Sequence, residues 1–83
     1  MPSHRNPCGR CEDVLRVIDE WSDLNGYPPT LAEVGNLTGI TSASMVVYHT
    51  DELVERGYLR KTPGIARATT ITDEGRAAVR ARA

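Results

Sequence analysis

Three stretches of the chain alternate apolar and polar residues at the period of a helix. In the first, Val14, Val17, Ile18 and Trp21 recur at helical spacing while acids cluster on the other side, which predicts a helix from about Gly9 to Leu24. "NGYPP" ends it: Asn25-Gly26 supplies a left-handed stop, and Pro28 and Pro29 cannot continue a helix. Thr30 followed three residues later by Glu33 is a capping box. It predicts a short helix from Leu31 to Leu37, with Leu31, Val34 and Leu37 on one face and Gly39 closing it.

The third stretch, "TSASMVVYHTDELVERGYLRK", is less regular. Leu53 and Val54 fit an inward stripe, but Met45, Val46, Val47 and Tyr48 are consecutive and cannot all point inward at 100° per residue. A helix starting near Ala43, capped by Thr41 or Ser42 and running to Arg56 before Gly57, resolves this. Its inward stripe is Val46, His49 or Thr50, Leu53 and Val54, so Ser44, Val47, Tyr48 and Asp51 face outward. Two helices joined by a short turn containing a glycine form a helix-turn-helix.

Beyond Gly57 the period changes. "YLRKT" and "RATTIT" read as short strands, and the Pro-Gly of "PGIA" marks the turn between them. Leu59 and Ile71 can both face the bundle. Thr72 then caps a last helix with acids in its first turn and arginines toward its end, as the helix dipole favours. The predicted class is mainly α with a small β-hairpin: a three-helix bundle, a two-stranded wing over 58–72 and a C-terminal helix, that is, a winged helix-turn-helix. Residues 1–8 are expected to be a flexible N-terminal segment and 9–83 the domain.

Eighty-three residues suffice for one modest core. The proportions, 25% charged and 40% hydrophobic, exclude a disordered chain. No run approaches the length of a membrane span, and "MPSHRNPCGRC" has no apolar stretch to act as a secretory signal. The expected location is the cytoplasm, with no membrane partner. Net charge is only -1, which argues against a nucleic-acid partner, but its distribution argues for one. Residues 12–33 hold six acids against Arg16, whereas 56–72 hold Arg56, Arg60, Lys61 and Arg67 with no acid. A neutral domain can still present one positive edge to an anion. A solvated charged hairpin fits the same charges equally well.

The segment "GYPPTLAEVGNLTGITSASMVVYHTDELVERGYLRK" resembles the DNA-binding domain of the LexA family. The shared frame is a G-x-PPT-x-x-E start, an apolar-x-x-x-x-G helix end, a serine-containing turn and L-x-x-x-G before the wing; the match runs without gaps from about Val14 to Arg60. The tail "ITDEGRAAVRA" is similar to the strand and helix after the wing in MarR-like regulators. The resemblance implies a sequence-specific regulator of transcription, a small repressor, that binds double-stranded DNA with the helix 42–56 in the major groove. The positions it implies for base reading are Ser42, Ser44, Met45, Val47 and Tyr48. Thymine methyls suit the apolar members, hydroxyls bond to several bases, and Tyr48 can also donate to a phosphate. Polar or acidic readers stand in the family where Met45, Val47 and Tyr48 stand here, so the target sequence is expected to differ.

The resemblance assigns backbone contact to Thr30, Arg60, Lys61 and Arg67, the last three on a ribbon that winged domains lay along the phosphates or the minor groove. Each phosphate neutralised releases condensed counterions, so a few cations can carry most of the affinity. LexA proteins also carry a second, serine-lysine self-cleaving domain that dimerises them. This sequence stops before one, so self-cleavage is not expected and the source of any homodimer on DNA is open. The alternative from another class is a winged helix used for protein–protein contact, with Met45, Val47 and Tyr48 as the interface.

Cys8-Gly9-Arg10-Cys11 stands apart from this reading. A C-x-x-C pair can hold half of a tetrahedral zinc site, serve as a redox dithiol, or be two packing thiols. His4 has acceptable spacing as a further ligand, whereas His49 lies on another helix whose position the sequence does not fix. The thioredoxin reading lacks βαβ surroundings. Packing thiols are the expectation, with Cys8, Cys11 and His4 as the metal candidates, a metal- or redox-responsive regulator as the alternative and no cofactor. No phosphate-cradling glycine loop, H-E-x-x-H or catalytic constellation is present, so an enzyme is not expected.

Overall fold

The computed structural model describes residues 9–62 and 69–81. Their order is α1 (Gly9–Asn25), α2 (Leu31–Thr38), α3 (Ala43–Glu55), β1 (Leu59–Arg60), β2 (Thr70–Ile71) and α4 (Asp73–Ala81). The segment 1–8, the "PGIA" turn and Arg67 lie outside the described residues.

Local chemistry sets each boundary. Gly26, with φ 79°, donates its N–H to the Ser22 carbonyl at 2.9 Å and stops α1 in the left-handed conformation. The capping box of α2 is complete: Thr30 Oγ1 accepts from the Glu33 N–H at 3.1 Å, and Glu33 Oε1 accepts from the Thr30 N–H at 2.8 Å. Ser42 is the N-cap of α3. The helix closes in a Schellman arrangement, with Gly57 N–H bonded to Val54 O and Tyr58 N–H to Leu53 O. Thr72 joins three elements. Its hydroxyl donates to Gly57 O at 2.6 Å and accepts from the Gly75 N–H at 3.0 Å, while its backbone N–H bonds to Tyr58 O.

The core lies between α1, α2, α3 and the ribbon. Cys11, Val14, Leu15 and Ile18 from α1 meet Val34, Val46, Leu53 and Leu59, all buried. Val14 and Ile18 form the centre of the predicted α1 stripe, but Val17 and Trp21 are only half-buried; Cys11 and Leu15 complete the stripe instead. In the hairpin, Leu59 pairs with Ile71 and Arg60 with Thr70 in an antiparallel register. Leu59 is buried and Ile71 half-buried, as expected, but each strand spans only two of the described residues.

Two expectations need correction. Leu37 is 56% exposed. The inner face of α2 instead runs through Leu31, Val34, Gly35 and Thr38, because α2 meets α3 at Gly35. A Cβ there would sit 3.1 Å from Ile40 O and 3.3 Å from Val46 Cγ2, so the missing side chain lets the two helices approach and turns Leu37 outward. Asp19, counted among the solvated acids of α1, is buried. Its carboxylate accepts from Arg76 Nε at 3.2 Å and from Arg80 Nε and Nη2 at 3.5 Å, tying α4 to α1. Gly75 completes this docking, since a Cβ would collide with the Tyr58 carbonyl.

Candidate nucleic-acid interface

The turn between α2 and α3 fixes how α3 is presented. Gly39, with φ 81°, ends α2 in the left-handed region, and the N–H groups of both Gly39 and Ile40 bond to Gly35 O. Three residues later Ser42, extended at φ -93° and ψ 120°, opens α3 and accepts from the Met45 N–H at 3.4 Å. Val46, His49, Thr50 and Leu53 then face the core, and Thr50 Oγ1 donates to Val47 O.

The opposite face belongs to Ser44, Val47, Tyr48 and Asp51, at the i, i+3, i+4, i+7 spacing of one helix stripe. All four are exposed, as is Met45 beside them. Met45, Val47 and Tyr48 retain 44%, 39% and 55% of their accessible surface, too much for core residues of so small a domain. The five sequence-assigned readers therefore gather on the first two turns of α3. Ser42 differs from the rest in that its hydroxyl already serves as the cap.

The backbone-contact candidates separate. Thr30 is half-buried, with its hydroxyl oxygen engaged as the α2 cap, although its proton remains available to donate. Arg60 is exposed on β1. Lys61 is half-buried and its Nζ lies 2.6 Å from Asp51 Oδ1. The sequence assigned these cations no acid, because none lies between residues 56 and 72. Asp51 comes instead from the outer face of α3, brought beside Lys61 when the ribbon folds back. Arg56 likewise meets Glu52 at 3.7 Å. The only cue in the sequence was that Asp51 shares a stripe with Tyr48.

On the inner side, Cys11 Sγ lies 3.3 Å from His49 Nδ1, and the Tyr48 ring meets the His49 ring edge-on with centroids 5.4 Å apart. Cys8 and His4 are outside the described residues. Among those described, no three His, Cys, Asp or Glu side chains share a metal-sized site. No described helix is long and apolar enough to cross a membrane.

A helix-turn-helix from α2 and α3, packed on α1 and followed by an antiparallel ribbon, defines a winged helix-turn-helix domain. The family model for the LexA DNA binding domain matches residues 8–68, and the chain belongs to that family. It is 39% identical over 71 residues to the LexA repressor of Limosilactobacillus fermentum, covering 86% of this chain and 34% of that protein. It is 47% identical over 64 residues to the LexA repressor of Leuconostoc citreum, covering 75% and 30%. Against the LexA repressor of Corynebacterium diphtheriae the identity is 41% over 58 residues, covering 70% and 24%. The chain thus spans about a third or less of the length of these curated relatives.

Proposed function

We propose that this domain is a sequence-specific reader of double-stranded DNA that acts as a transcriptional repressor. It inserts the first two turns of α3 into the major groove and rests the ribbon on the backbone. The observation that carries this reading is the outward stripe Ser44, Val47 and Tyr48, with Met45 beside it, held on a helix whose opposite face is buried. A helix fits the major groove, and this face matches thymine methyls and hydroxyl-bonding base edges better than it matches phosphate. The matching relatives are repressors by name, and this domain corresponds to their DNA-binding part. The activity is regulatory rather than enzymatic, and its setting is the cytoplasm.

Arg60, with Arg67 beyond the described residues, contributes positive charge to the backbone; Thr30 adds a hydroxyl at the start of α2. The second reading is a protein–protein module, favoured by the same exposure of Met45, Val47 and Tyr48. Salt separates them. Binding to a duplex weakens steeply between ~50 and ~200 mM salt through counterion release, whereas an apolar interface barely responds. Failure to retard any duplex at low salt contradicts the DNA reading. Selection from a random pool gives the site, and a palindromic consensus would indicate a homodimer on DNA.

A further inference from the structure

Asp51 belongs to the outward stripe of α3 but not to the residues assigned to base reading. Ser44, Val47, Tyr48 and Asp51 follow one another at i, i+3, i+4 and i+7, and all four are exposed. Seven residues of helix rise about 10.5 Å, roughly three base-pair steps of ~3.4 Å, so Asp51 can address the same half-site as Ser44. Its side chain is 61% exposed, and among the described residues only Oδ1 is engaged, by Lys61 Nζ at 2.6 Å. An acid turned toward DNA is repelled by the phosphates unless a cation stands close to it. Lys61 offsets the charge from the ribbon side and leaves Oδ2 open toward the face that Tyr48 shares.

We propose, on the major-groove placement of α3 given above, that Asp51 is a specificity-determining residue that selects a cytosine at one end of the half-site. A carboxylate accepts hydrogen bonds and donates none. In the major groove guanine offers only the acceptors N7 and O6, and thymine the acceptor O4 beside its methyl group. Adenine places the acceptor N7 next to its N6 donor, whereas cytosine offers the N4 amino group alone. An acceptor-only side chain therefore favours cytosine over the other three bases. The Lys61 contact holds the carboxylate in place and lowers the cost of bringing it near the phosphates, so ribbon and helix together build this one reader.

The test is selection from a random duplex pool by the full chain, Asp51→Asn and Asp51→Ala, followed by competition with duplexes altered at single base pairs. The parent consensus is expected to hold a cytosine about three base pairs from the pair whose preference Ser44→Ala relaxes. Replacing that cytosine should weaken parent binding roughly tenfold, the size of one good base contact. Asp51→Asn should move the preference there to adenine, whose N6 and N7 an amide side chain can pair, and Asp51→Ala should leave the position without preference. An unchanged preference at the Ser44 position shows that each variant still folds and docks. A parent that retards no duplex at low salt overturns the DNA reading and this assignment with it. A parent that selects a consensus which both Asp51 variants reproduce at every position overturns the assignment alone. So does a uniform rise in affinity for all duplexes with the consensus unchanged, which would make Asp51 only the partner of Lys61.

Discussion

The outer face of α3 and the ribbon beside it carry opposite chemistry. Over Ser44 to Tyr48 the helix presents hydroxyls and apolar groups without one cation. The adjoining ribbon presents Arg60 and Lys61, of which Lys61 is held by Asp51. A face without cations placed against DNA gains little from phosphates and must act through base edges; a cationic strand gains from phosphates whatever the sequence. On the proposed reading, the helix would supply discrimination and the ribbon general affinity, a division that substitutions can break.

The largest effect comes from removing the support common to both. Leu53→Ala truncates a buried anchor of α3 beside the start of the ribbon, and should destabilise the domain by about 2–5 kcal/mol in denaturant titrations. Specific and random binding should then fall together, in proportion to the unfolded fraction. A folded Leu53→Ala protein that loses specific binding alone would mean the two regions depend on the core separately.

Next are the readers. Ser44→Ala and Tyr48→Ala should each reduce discrimination between selected and random duplexes by about 1–3 kcal/mol in competition binding, with the salt slope unchanged. Mutants that treat both duplexes as the parent does would place the reading face elsewhere.

Arg60→Ala should weaken both duplexes about equally and flatten the log–log salt slope by ~0.9 for one lost phosphate contact. The same outcome is expected for Arg67→Ala. A loss concentrated on A·T-rich flanks would instead put the arginine in the minor groove, reading its width.

The smallest effect tests the ion pair between Asp51 of α3 and Lys61 of the ribbon. Asp51→Asn removes the partner of Lys61, a surface pair of an exposed carboxylate and a half-buried lysine whose loss should cost at most about 1 kcal/mol of stability. It should also release Lys61 toward phosphate, strengthening binding to random DNA and steepening its salt slope. Weaker binding to random DNA would show that Asp51 positions Lys61 rather than competing for it.

The helix-turn-helix was legible because its signals are local. The Thr30–Glu33 capping box, Gly39, Ser42 and Gly57 act within one turn of the residues they cap. The inward and outward faces of α3 followed from helical period alone. What escaped depended on partners distant in sequence. Asp19 reads as one more acid on a polar face until α4 brings Arg76 and Arg80 against it. Lys61 reads as a free cation until the ribbon folds toward Asp51. Leu37 reads as core because periodicity cannot show that Gly35 is where α2 meets α3. The Cys11–His49 contact joins helices whose relative placement no spacing rule gives.

The most direct test of the division is one binding titration: parent, Tyr48→Ala and Arg60→Ala against a selected duplex and its scrambled counterpart, from ~50 to ~200 mM salt. The expected result is that Tyr48→Ala lowers the ratio of specific to random affinity without changing the slope. Arg60→Ala should lower the slope without changing the ratio. The reverse pattern, or one in which both variants change both quantities equally, would contradict the separation of reading helix from anchoring ribbon.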